Sequence, residues 1–239
     1  MVLAKVLGDV FKPEMVAGHS LGEFSALVAN ETLSFEDGLK LVSQRAQAMQ
    51  KACELQAGTM AAVLGLEDSI VEEVCHHTEG VVVAANYNCP GQLVISGEIN
   101  AINKACETLK EKGARRALVL PVGGAFHSPL MEPAALTMDT ELRKLNFSKP
   151  IVPIVQNIDL SILGSTEGLV DKLVKQICGT VRWRESLIKM AKEHRVKAFF
   201  EIGPGKVLAG TVKRTIPGSN VISVSLATQI DKALEILNE

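Results

Sequence analysis

Short apolar runs of strand length alternate with amphipathic helical stretches along the whole chain, and this alternation restricts the fold more than any other feature. The strand candidates are 15–17, 60–66, 81–85, 93–96, 117–122, 151–155, 198–202 and 221–224. Helical spacing is expected over 1–11, 20–30, 35–54, 67–78, 99–112, 128–145, 167–178, 184–194, 206–215 and 228–238. The clearest case is 35–54, where Phe35, Leu39, Val42, Ala46, Met49 and Cys53 recur every three or four residues. Over roughly 58–122 the order is β-α-β-β-α-β, the ferredoxin-like pattern. The expectation is an α/β protein: a parallel-sheet core from 1–57 and 123–239, with a ferredoxin-like subdomain of 58–122 inserted in it. Pro153 predicts that strand 151–155 is short or near an edge. Asn86-Tyr87-Asn88-Cys89-Pro90-Gly91 reads as a turn.

Composition narrows the function classes. Of 239 residues, 47% are hydrophobic and 22% charged, with a formal net charge of −2. These are globular proportions. A near-neutral chain with no basic run and only 4% aromatics is not built for nucleic acid or an anionic membrane. No segment is long and apolar enough to span a bilayer. The five cysteines, Cys53, Cys75, Cys89, Cys106 and Cys178, are odd in number and lack C-x-x-C spacing. Free thiols in a reducing, cytoplasmic setting are expected, with no metal site.

Gly18-His19-Ser20-Leu21-Gly22 fits G-x-S-x-G. An apolar run leads in and a helical pattern leads out, the strand-turn-helix setting of a nucleophile elbow in an α/β-hydrolase-like core. The glycines permit the tight passage. Ser20 then stands at a helix N-terminus, where amides and the helix dipole favour a developing anion. The plainer account is an N-cap serine between packing glycines.

A serine nucleophile needs a base, and five histidines are available. His19 adjoins Ser20, but neighbouring side chains on such a turn diverge. His76, His77 and His194 end helices in polar surroundings. His127 follows an apolar strand and Gly123-Gly124 and precedes Ser128-Pro129, a cap and first helical residue. Sites gather at such strand ends. Arg45 flanks the apolar stripe of 35–54, either reaching solvent or presenting its fork to a carboxylate from an apolar pocket. Glu201-Ile202-Gly203-Pro204-Gly205-Lys206 lacks nucleotide P-loop spacing. Asp159 is a weak candidate for a triad acid.

A series of longer segments points further: GHSLGEFSALVAN at 18–30, LVSQRAQAMQ at 41–50, GTMAAVLGL at 58–66, NYNCPGQLVISG at 86–97, GGAFHSPLMEPA at 123–134, QNID at 156–159, VRW at 181–183 and EIGPGKVL at 201–208. In these, over essentially its whole length, the chain resembles the malonyl-CoA:acyl carrier protein transacylases of bacterial-type fatty acid synthesis. The acyltransferase domains of polyketide and fatty acid synthases belong to the same family. The resemblance implies that Ser20 is acylated, that His127 is its base and that Arg45 pairs with the malonyl carboxylate. Gln176 would hold the histidine through its backbone carbonyl, which removes Asp159 from the catalytic set. Leu21 would supply an oxyanion amide, and Phe126 would discourage an α-methyl branch. Asn88 joins the candidate substrate-binding residues, although a turn asparagine is structural by default.

The implied partners are malonyl-CoA and acyl carrier protein, without a cofactor. The family carries a strand and a G-Q-G-x-Q loop ahead of the nucleophile, and that loop supplies the second oxyanion amide. No such motif precedes Ser20, so the resemblance implies an N-terminally truncated member with an uncovered sheet edge. Two other readings stand beside transfer: a serine thioesterase or esterase with a carboxylate behind His127, and a poorly active fragment that only binds carrier protein or CoA.

Overall fold

The computed structural model describes residues 12–230. The helices expected over 1–11 and, beyond a short 3-10 turn at Ala227–Gln229, over 228–238 lie outside the described residues. In chain order come β1 (Val16–Ala17), α1 (Leu21–Ala29), α2 (Phe35–Leu55), β2 (Gly58–Leu64), α3 (Asp68–His77), β3 (Val82–Cys89), β4 (Gln92–Glu98), α4 (Ile99–Glu111) and β5 (Arg116–Val119). A 3-10 turn at Pro129–Met131 leads into α5 (Glu132–Leu142). Then follow β6 (Ile154–Val155), β7 (Ile162–Leu163), α6 (Leu169–Cys178), α7 (Trp183–Lys192), β8 (Ala198–Ile202), α8 (Val207–Thr215) and β9 (Asn220–Val224).

The strands form three sheets, ordered β1-β6-β7, β3-β4-β2-β5 and β8-β9. The four-stranded sheet is antiparallel throughout. Its helices α3 and α4 bury Val71, Val74, Ile102 and Leu109 against Val63 and Ile95. In the first sheet β1 runs parallel to β6, and β7 returns antiparallel. Phe24, Leu27, Leu41, Met138 and Leu173 pack α1, α2, α5 and α6 into a second core.

One local expectation holds, one is corrected, and one strand is new. The 151–155 strand is short, but β6 is the middle strand of its sheet rather than an edge. Pro153 is compatible because it stands one residue before β6, so no ladder N–H is required of it, and its carbonyl accepts from Val16 N–H at 2.9 Å. β3 does not stop at Ala85: it continues through the asparagines to Cys89, with register shifts between Ala84 and Asn86 and between Tyr87 and Cys89. Such bulges re-aim side chains, and here they turn a polar stretch toward a neighbour. Val181 pairs beside Asn86, accepting from Tyr87 N–H at 3.0 Å and donating to Ala85 C=O at 2.8 Å. β7 was not anticipated, because a two-residue strand beside Gly164 and Ser165 carries no period.

The Glu201 carboxylate accepts from Leu208 and Ala209 N–H at 3.1 and 2.8 Å, filling the start of α8.

Candidate active site

Ser20 sits between β1 and α1 with φ 52° and ψ −105°. A non-glycine residue held there stores strain of order 1–3 kcal/mol, so its surroundings must grip it. The tightness of the turn is visible at Gly18, where a Cβ would stand 1.9 Å from the Gly22 carbonyl. Gly22 and Glu23 N–H donate back to His19 and Ser20 C=O, which leaves Leu21 N–H the unpaired first-turn amide among the described residues. Asn157 staples the turn: its Oδ1 accepts from Ser20 N–H and its Nδ2 donates to Gly18 C=O, both at 2.8 Å.

The candidate base, His127, comes from the loop after β5. His127 also has a positive φ, 59°, and is 4% exposed. Its Nδ1 faces the carbonyl oxygens of Gln176 and Gly179 at 2.9 and 3.1 Å. Carbonyls only accept, so the ring proton is on Nδ1 and Nε2 is left as an acceptor. Ser20 Oγ lies 2.7 Å from Nε2 and donates to it. Burial, and after it the Arg45 charge, pushes the His127 pKa down to about 4, against the opposing hydrogen bond to Gln176. The imidazole is therefore neutral at physiological pH and able to take a proton. Gly124 brings this loop close to α2, since a Cβ there would stand 2.1 Å from Cys53 Sγ.

Arg45 does not reach solvent. It is 6% exposed, and its guanidinium donates to Ser20 Oγ at 2.9 Å and to Gln176 Oε1 at 3.4 Å. Its Nε is buried without a partner, and among the described residues it makes no ion pair. Burial lowers its pKa to about 10, opposed by the charge of Glu23, so it remains a cation. Gln176, fully buried, is the junction of the site. Besides its carbonyl on His127, its Nε2 donates to Ser20 C=O at 2.9 Å and to Glu23 at 2.8 Å.

These groups meet at a cavity of about 400 Å³ lined by Ser20, Arg45, Met49, Met60, Phe126 and His127, with His19 and Asn86 at its wall. Asn88 is not part of that lining. Its Oδ1 accepts from His19 Nε2 at 2.9 Å, while Asn86 presents a buried, unpartnered Oδ1. The bulges in β3 made that exchange, and the sequence carries no sign of it. Leu21 is half exposed beside the serine. Asp159 lies elsewhere, bonded to Ser161 and 3.0 Å from Lys172. Sequence reasoning did not single out Glu23 or Asn157, although both stand inside the quoted segments GHSLGEF and QNID. Among the described residues no three His, Cys, Asp or Glu side chains cluster as metal ligands, and the five cysteines are unpaired.

The profile of the acyl transferase domain family matches residues 3–235. The chain belongs to that family. The malonyl CoA-acyl carrier protein transacylase of Escherichia coli K12 is 40% identical over 226 residues, covering 94% of this chain and 73% of that one. The acyl-carrier-protein S-malonyltransferase crystal structure from Burkholderia pseudomallei superposes with TM-score 0.92 at 44% identity, over 97% of this chain and 76% of the other. A malonyl-transacylase in complex with its type II PKS acyl-carrier protein superposes with TM-score 0.93 at 35% identity, over 98% and 77%. This acyl transferase is thus an α/β protein of the same fold as those enzymes. No described helix is long and apolar enough to cross a membrane.

Proposed function

We propose that this acyl transferase moves malonyl from malonyl-CoA to the phosphopantetheine thiol of acyl carrier protein through a malonyl-serine intermediate. Ser20 Oγ attacks the thioester carbonyl as His127 Nε2 takes its proton. The tetrahedral oxyanion is met by Leu21 N–H. It collapses with loss of the CoA thiolate, which takes the proton back from His127. The carrier thiol then enters, gives its proton to His127, attacks the malonyl ester and displaces Ser20 Oγ, which takes that proton back from His127. Throughout, Arg45 holds the distal carboxylate and Phe126 restricts the space beside it. The observation that carries this reading is a buried arginine with an unpartnered Nε, 2.9 Å from the same Oγ that bonds His127. A buried cation without an ion pair is complementary to an acyl group that ends in a carboxylate.

A thioesterase or esterase reading is less well supported, because two carbonyls, not a carboxylate, stand behind His127. The test is incubation with malonyl-CoA, followed by intact-mass analysis, with and without holo-acyl carrier protein. A malonyl adduct that is absent from Ser20→Ala and passes to the carrier is expected. Free malonate as the sole product would overturn transfer.

Residues 58–122 are further read as an inserted ferredoxin-like subdomain on an α/β-hydrolase-like core of 1–57 and 123–239. The support is its separate apolar cluster and its β3-β4-β2-β5 order. Unpaired cysteines favour a cytoplasmic location.

A further inference from the structure

Glu23 lies in the first turn of α1, three residues beyond Ser20, and is 2% exposed. The chemistry above makes no use of it. Burying a carboxyl group is unfavourable unless nearby donors compensate, so its position calls for a reason. Its Oε2 accepts from Gln176 Nε2 at 2.8 Å and from Asn157 N–H at 3.3 Å. Those two partners are the residues that grip the strained serine. Asn157 takes the Ser20 N–H, and Gln176 donates to the Ser20 carbonyl. Gln176 also carries the carbonyl that accepts from His127 and the Oε1 that accepts from Arg45. A primary amide can face either way. With a carboxylate oxygen beside it, its NH₂ end is drawn toward Glu23 and Ser20 C=O, and only then does Oε1 face the guanidinium.

We propose that Glu23 is a positioning residue of the acyl transfer reaction: one carboxylate oxygen ties Asn157 to Gln176, holding Ser20 in its strained conformation and orienting the Gln176 amide toward Arg45. This rests on the reading of Ser20 as the acylated nucleophile.

The experiment compares Glu23→Leu, Glu23→Asp and Glu23→Gln in single-turnover acylation by malonyl-CoA and by acetyl-CoA, well below each variant's melting midpoint. Leucine keeps the bulk and removes the acceptor. Aspartate keeps the charge and withdraws the acceptor by about 1.5 Å. Glutamine keeps the reach and an acceptor oxygen. Loss of sub-ångström placement is expected to slow malonyl acylation of the Leu and Asp variants roughly 10- to 100-fold. Their preference for malonyl over acetyl should fall as Arg45 loses its oriented partner, and Glu23→Gln should stay close to wild type. If the Leu variant does not fold, the Asp and Gln variants decide.

Asp fast with Gln slow, all three equally slow, or lowered melting midpoints with unchanged rate constants and preference would each overturn the proposal. Ser20→Ala is the control. Acylation surviving in it overturns the nucleophile reading itself, whereas a dead Ser20→Ala with normal Glu23 variants overturns only the role of Glu23.

Discussion

The interior of the β-α-β-β-α-β unit and the ground beneath Ser20 are both buried, and they are filled in opposite ways. Between the helices and sheet of 58–122 the buried cluster is apolar throughout, with Ile102, Leu109, Leu93 and Ile95 at its centre. Beneath Ser20 the buried side chains are Glu23, Arg45, His127, Asn157 and Gln176. In the first region burial itself supplies the stabilisation, and no partner has to be exact. In the second, burial of polar and charged groups is unfavourable and each group depends on its neighbour. Strain gathers in the same place, since Ser20 and His127 both have positive φ. One region stabilises the fold; the other spends some of that stability on holding a serine and a histidine in a fixed, strained arrangement.

Four substitutions or titrations press on this contrast. The largest effect is expected from His127→Ala: loss of the proton acceptor should slow acylation roughly 10²- to 10⁴-fold. Alanine keeps the positive φ and relieves no strain, so the melting midpoint should not rise, and a rate within error of wild type would remove His127 from the chemistry. Ile102→Ala should do the reverse. A fully buried isoleucine truncated in a packed core costs about 2–5 kcal/mol of stability, to be read from denaturant midpoints. Acylation by the folded fraction should be unchanged, and a change in its rate constant would mean that the two regions are not separable.

Arg45→Ala comes next. Removing a desolvated, charge-assisted contact worth about 1.5–3 kcal/mol should lower malonyl transfer by roughly 10- to 150-fold relative to acetyl. Because the guanidinium makes no ion pair among the described residues, stability should change little. Equal losses for the two acyl groups would make Arg45 structural.

The smallest effect is a pH dependence. His127 is held near 4, below its ordinary 6.5, so only the unfolded chain takes up that proton as pH falls from 6.5 toward 4, and stability falls with it. Burial raises Glu23 to about 7 from 4.5, so only the unfolded chain loses that proton as pH rises from 4.5 to 7, and stability falls in that direction. The two slopes oppose each other between 4.5 and 6.5. Glu23→Gln removes one of them, and its melting midpoint should then climb with pH across that window more steeply than wild type. Parallel curves would show that burial beneath Ser20 does not tune these two groups. The acylation rate should stay level from pH 8 to about 5 and fall toward 4 as His127 is protonated.

The order of helices and strands, the serine turn and the candidacy of His127 were legible in the sequence because each has a local signature: a period, a glycine-bounded turn, a cap after a strand. Arg45 was ambiguous there, since the same spacing suits an arginine reaching solvent, and family resemblance assigned Gln176. What the tertiary structure decided are relations between distant segments. The place of β6 between β1 and β7 depends on Pro153 standing just outside the ladder. The exchange of Asn86 for Asn88 at the cavity wall depends on bulges in β3. The convergence of Glu23, Asn157 and Gln176 on one serine joins α1, the loop after β6 and α6. A hydrogen bond leaves no periodicity in a sequence, because its two ends are set by three-dimensional packing rather than by chain spacing. The polar ground beneath Ser20 therefore became visible only once the apolar cores had brought those segments together.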